Sequence, residues 1–159
     1  MQMNKVFKVY FFGLIVLLFA GFKTDDDFKL CNPDKIYATK DYLYADTYFK
    51  DYEKVNHVPK YRGGIDSIQS FFDSTVVLTG DEARIIAKYH ITFIVNCKGE
   101  LGKFEYKSKP LPGYEKVLNA CKKMPNWIPA QSHKQNVDCL MRLGFINRAG
   151  KITVEYLEK

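Results

Sequence analysis

The sequence predicts an α+β domain: a small antiparallel sheet in strand-strand-helix-strand order, with helices on one face and a short helix ahead of it. Three observations carry this expectation. From Ala87 to Val95, apolar residues Ala87, Tyr89, Ile91, Phe93 and Val95 alternate with Lys88, His90, Thr92 and Ile94. That period of two belongs to a strand with one buried face. Further on, Val137, Cys139, Met141, Leu143 and Phe145 repeat the pattern. Between these stretches, Val117, Leu118, Cys121 and Met124 recur at the spacing of an amphipathic helix. Local strands with a single helix between them give an antiparallel α+β layer. The aromatic content of 15% suits such a sheet, because rings fit a pleated, half-buried surface.

The N-terminus reads separately. Lys5 and Lys8 precede an unbroken run without charge from Val9 to Phe22. The run is shorter than the roughly 20 residues of a spanning helix, so residues 1–22 are expected to be an export signal. The alternative is an anchor in the inner membrane formed by residues 5–22. Without residues 1–22 the net charge falls by those two lysines, from +6 to +4. The remaining lysines are scattered and form no stripe, which argues against nucleic acid as a partner.

Residues 23–58 form a polar, Tyr-rich lead-in whose periodicity is mixed. The expected domain covers residues 59–159. In it, Pro59 and Gly63-Gly64 make a turn, and Asp66 or Ser67 is placed to cap a helix over about 65–74. Ile65, Ile68, Phe71 and Phe72 give that helix an apolar face. Lys98-Gly99 turns the first strand into a second, with Leu101, Phe104 and Tyr106 as its apolar positions. The helix of "GYEKVLNACKKM" stops at Pro125. Trp127, the only tryptophan, then stands between Pro125 and Pro129. Both prolines fix φ, so the corner is stiff, and the indole is expected to seal the gap between helix and sheet. The last strong strand is expected over Val137–Ile146. Asn147–Gly150 then turn, and "KITVEYL" supplies a final short strand.

Cys31, Cys97, Cys121 and Cys139 make an even count, which permits disulfides in an oxidising compartment. Cys97 and Cys139, both assigned to the core side of strands, are the first pair to test, with Cys31 and Cys121 as the remainder. Buried thiols are the alternative. His57, His90 and His133 show no ligand spacing, so no metal or other cofactor is expected. Cys121 with His133 or His90 is the thiol–imidazole pair to weigh as a catalytic candidate. Cys121 falls on the apolar helix face and His90 outward on a strand, so no catalytic residue is expected and the chain reads as a binding protein, not an enzyme.

Three short signatures stand in fixed order. Pro59, Tyr61, Gly63 and Gly64 precede the first helix. Ala87, Tyr89, Ile91, Phe93, Val95 and Gly99 mark the hairpin. Met124, Pro125, Trp127 and Pro129 end the second helix. In this order the chain resembles the TonB C-terminal domain family, in its Bacteroidetes-type form, over about residues 55–147. The resemblance implies a periplasmic module that grips an extended peptide segment of an outer-membrane TonB-dependent transporter by strand addition at a sheet edge. In the family the last strand does this, which puts Asp138, Leu140, Arg142 and Gly144 on the partner-binding edge; the alternative is that "KITVEYL" or the lead-in covers that edge. The chain departs from the family pattern: it has no proline-rich spacer, and Arg62, Ala87 and Ala130 replace the usual residues. The resemblance therefore points to an adaptor. The alternative is a membrane-anchored energy transducer working with inner-membrane motor proteins. Self-association as a homodimer stays open.

Overall fold

The computed structural model describes residues 28–39, 52–105, 110–125 and 127–156. The apolar run Val9–Phe22 and Tyr106 lie outside them. Among the described residues no helix is long and apolar enough to cross a membrane.

In chain order the described elements are β1 (Tyr37–Ala38), β2 (Glu53–Lys54), α1 (Gly64–Thr75), α2 (Asp81–Arg84), β3 (Ala87–Val95), β4 (Leu101–Glu105), α3 (Tyr114–Lys122), β5 (Ala130–Ser132), β6 (Gln135–Val137), β7 (Cys139–Arg148) and β8 (Lys151–Tyr156). One sheet runs β2-β1-β7-β3-β4, with β8 also paired to β7. The class is α+β, and α1, β3, β4, α3 and β7 follow the expected order. The sheet is mixed, however, because β1 pairs in parallel with both β7 and β2.

The backbone of the fold is the antiparallel ladder between β3 and β7, which joins Ala87 to Asn147 and Val95 to Cys139. On the helix side alternation works as expected, but β3 does not have the single buried face expected of it: Thr92 and Ile94 are buried on the other. Tyr89, Ile91, Phe93 and Val95 meet Met141, Leu143 and Phe145 on one face. Ile68 and Phe72 of α1, with Val117 and Cys121 of α3, cover that face in a single core. Phe72 lies against Phe145 with ring centroids 4.8 Å apart.

Several boundaries differ from expectation for visible reasons. Helix α1 begins at Gly64 after Gly63, whose φ is 86°, and no side chain caps it. Asp66 instead sits in the first turn, where the helix dipole favours a carboxylate. Val137 belongs to a separate β5–β6 hairpin, and the long strand starts only at Cys139. Ala149 and Gly150 both take positive φ, 52° and 83°. Two successive left-handed residues make the two-residue turn whose twist matches a hairpin. The chain therefore folds straight back from β7 into β8.

The lead-in is the part that periodicity left unread. β1 extends the sheet along β7, with Tyr37 paired to Cys139 and Ala38 to Leu140. Phe28, Leu30, Ile36 and Tyr52 then cover Ala38, Ile94 and Leu140 in a second, smaller apolar cluster. Gly102 allows this close cover, since a Cβ there would strike the Phe28 ring.

Candidate functional site

Three features could carry function: the tryptophan corner, a polar clasp on the lead-in, and the outer rim of the sheet.

The corner brings the three signatures together. The indole of Trp127 is 1% exposed and stands edge-on to Tyr61 and Phe93, with centroids at 5.5 and 5.7 Å. Its main-chain N–H donates to the Gly99 carbonyl at 2.8 Å. Gly99 has φ 81°, and a Cβ there would collide with the Trp127 carbonyl. Only glycine combines that left-handed backbone with so close an approach. Lys60 and Ile128 exchange main-chain hydrogen bonds at 3.0 and 2.8 Å, which carries Pro59 alongside Pro129. Met124 is buried in the same core, while Pro125 is exposed. Tyr61, Gly99, Met124 and Trp127 are thus structural neighbours, and the indole seals the seam as expected.

The clasp corrects the cysteine expectation. Cys31 is bonded to Cys97, with Cα atoms 6.0 Å apart. Neither Cys97–Cys139 nor Cys31–Cys121 forms. Strand β3 ends at Val95, so the alternation that turned Cys97 inward no longer applies two residues on. Cys97 sits in the turn and meets the lead-in. Cys121 and Cys139 are buried. Cys139 Sγ donates to the Leu140 carbonyl at 3.6 Å. Burial pushes the Cys121 thiol well above its ordinary pKa, which holds it protonated and poorly nucleophilic.

Asp138 organises the clasp. It is 1% exposed, and its carboxylate accepts main-chain N–H bonds from Cys31 at 2.7 Å, Asn32 at 2.9 Å and Cys97 at 2.8 Å. Buried Asn96 adds a second tie, donating to the Lys29 carbonyl and the Glu100 carboxylate, both at 2.9 Å. Ligand atoms of Cys31, Cys97 and Asp138 lie within 4.8 Å of one another. Both sulfurs are spent in the disulfide and the carboxylate holds three amides, so the set is committed to structure. Asp138→Asn turns one acceptor oxygen into a donor facing amide donors. It is expected to cost about 2 kcal/mol, read as a lowered urea midpoint. An unchanged midpoint would show that the carboxylate is not a structural tie.

The rim corrects the edge expectation. β7 is interior: β3 flanks one side, and β1 and β8 share the other. Its four expected contact residues are occupied. Asp138 serves the clasp. Leu140 is buried beneath the lead-in. Arg142 Nε donates to Thr92 Oγ1 at 3.3 Å. Gly144 is buried, paired with His90 on one side and Glu155 on the other. Burial, then the nearby charges of Arg142 and Lys88, push the pKa of His90 down, partly opposed by Glu155. The long described outer strands are β4 and β8. β4 carries an irregularity opposite Thr92–Ile94, with Lys103 at φ 53°. A kink of this kind spoils an edge for pairing.

β8 is regular over its length. On its outer side Gln69 of α1 does something specific. Its Nε2 donates to the Ile152 carbonyl at 2.8 Å, and its Oε1 accepts from the Val154 N–H at 2.9 Å. One side-chain amide thus engages a C=O and an N–H two residues apart, as the main chain of a neighbouring strand does. Gln69 also donates to Asp73 at 2.8 Å. Next to it lies a hollow of about 330 Å³, lined by Phe72, Asp73, Val76, Ala149, Gly150, Lys151 and Ile152. The hydrophobic pattern of α1 gave no hint of this role for Gln69. Its signal would have been a polar amide at the margin of the apolar stripe, facing a terminal strand.

A comparison with known proteins found no matching family model, no similar curated protein and no similar solved structure.

Proposed function

We propose that the chain is a non-enzymatic peptide-binding adaptor, exported to the periplasm, which takes an extended segment of a TonB-dependent outer-membrane transporter along the outer rim of β8. The observation that carries this reading is the amide of Gln69 on Ile152 and Val154. The rim already accepts amide hydrogen bonds in the geometry an added strand supplies. The hollow beside it offers room for one guest side chain. Support also comes from the sequence resemblance, whose three signatures meet at the tryptophan corner. The Cys31–Cys97 disulfide fits an oxidising compartment.

The family's edge strand is interior in this chain. Its role therefore moves one strand outward, from Asp138, Leu140, Arg142 and Gly144 to the main chain of β8. An arriving strand displaces Gln69, so Gln69→Ala is expected to raise guest affinity about tenfold, by removing two hydrogen bonds that must otherwise break. The test is an NMR titration of the labelled protein with synthetic transporter N-terminal peptides. Shifts confined to the amides of β8 and to the Gln69 side chain are expected. Shifts at the corner or clasp with a silent β8, or no shifts at all, would sink the proposal.

A further inference from the structure

β8 is complementary to itself. Register fixes which of its main-chain groups face outward. Arg148 and Lys151 close the two-residue turn, so they and the pairs Ile146–Thr153 and Gly144–Glu155 are the ones that exchange hydrogen bonds within the sheet. Ile152 and Val154 then turn their N–H and C=O groups outward, as their bonds to Gln69 show. Ile152 and Val154 bury their side chains on the helix side. Lys151 and Thr153 are exposed, and Glu155 is half-buried.

We infer that this rim pairs with a second copy of the same chain, β8 against β8, antiparallel about a twofold axis at Thr153. In that register Ile152 lies opposite Val154 of the second copy, and these are the residues whose main-chain groups point outward. The pairing makes four N–H···O bonds, two from each copy. Lys151 lies opposite Glu155 of the second copy, and the twofold repeats the contact. Opposite charges facing each other across strands stabilise a pair, and like charges oppose it. Sliding the register until Glu155 sits on the axis sets carboxylate against carboxylate. A parallel arrangement stacks Lys151 on Lys151 and Glu155 on Glu155. The sequence "KITVE" thus selects one isologous arrangement. Glu155 is already bound by Lys88 at 2.8 Å on its own sheet, and its carboxylate can accept a second ammonium.

Gln69 is the regulator of this contact. While its amide holds Ile152 and Val154 the rim is occupied, and both copies must release it before they pair. Two strands this short bury less than the ~1,200 Å² of a standard stable interface, so the dimer forms and dissociates with concentration. The same rim then serves a copy or a guest, never both at once.

Sedimentation velocity on the protein as isolated, over a range of concentrations, tests the inference. The native chain is expected to shift from monomer to dimer. Lys151→Glu alone and Glu155→Lys alone are each expected to weaken that dimer at least ~10-fold, because each sets like charges against one another twice. An equimolar mixture of the two variants restores every opposite pair, and is expected to dimerise like the native chain. Recovery in the mixture also shows that both variants are folded. Gln69→Ala is expected to strengthen the native dimer. A chain that stays monomeric, single variants that dimerise normally, or a mixture that fails to recover would each overturn the inference. A monomer that still binds transporter peptide at β8 leaves the adaptor reading standing. A charge-dependent dimer that binds no peptide does the reverse.

Discussion

Trp127→Ala is expected to destabilise the domain by about 4 kcal/mol. The indole is 1% exposed and is the largest fully buried side chain among the described residues. Its neighbours are fixed by other constraints, so they cannot collapse into the space it leaves. Tyr61 is held by the Lys60–Ile128 main-chain bonds, Phe93 by the central ladder, and Gly99 by its left-handed turn. A cavity that cannot relax gives the upper part of the usual range for aromatic truncation. Chemical denaturation of the native and variant proteins reads the loss, and Trp127→Phe is expected to recover part of it. A variant within 1 kcal/mol of native would mean that the corner closes without its ring, and the account of the three signatures would fail with it.

Breaking the Cys31–Cys97 bond is the second large effect. The cysteines are 66 residues apart, and the loop-closure model assigns a cross-link of that span about 4 kcal/mol. Reduction, or Cys31→Ser with Cys97→Ser, is expected to lower stability by that order. Asp138 will blunt the loss, since it holds the main chain of both cysteines without the sulfurs. Cys97→Ser and Asp138→Asn together should therefore cost more than the sum of the two alone, as expected for ties that share one junction. Denaturation midpoints of the singles and the double measure this. Strict additivity would show that carboxylate and disulfide act independently.

The central layer was legible because it obeys one rule at a time. Tyr89, Ile91, Phe93 and Val95 of β3 all face the main core, so their period of two is clear even though Thr92 and Ile94 are buried on the other face, and α3 presents one stripe to that core. Pro125 marks the end of its helix by its own covalent geometry. The missed parts break those rules. Tyr37 and Ala38 are buried on opposite faces of the sheet, in two different clusters. A strand buried on both sides shows no alternation, so β1 could not be read. Cys97 was misassigned because a strand pattern was carried past the residue where the strand stops. Asp138 looked like a surface carboxylate. Its three partners are main-chain amides from distant segments, and main-chain donors leave no mark on a sequence. The turn at Asn147–Gly150 and the strand after it were legible; the edge was misplaced because the pairing of β1 and β8 along one side of β7 is made by main-chain bonds, which leave no mark on a sequence. The rim of β8 was equally hidden, since Gln69 and Ile152 are 83 residues apart.

One side of β7 is divided between β1 and β8, the earliest and the latest described strands. Neither can dock until β7 exists, and β7 itself needs β3. Assembly of the sheet therefore waits on contacts spanning about a hundred positions, an arrangement of high contact order. A fragment ending before Lys151 would carry an unfinished layer, with the β8 side of β7 bare from Leu143 to Arg148. The native topology is thus completed only once β8 is available, with the earliest and latest described strands closing on the same seam.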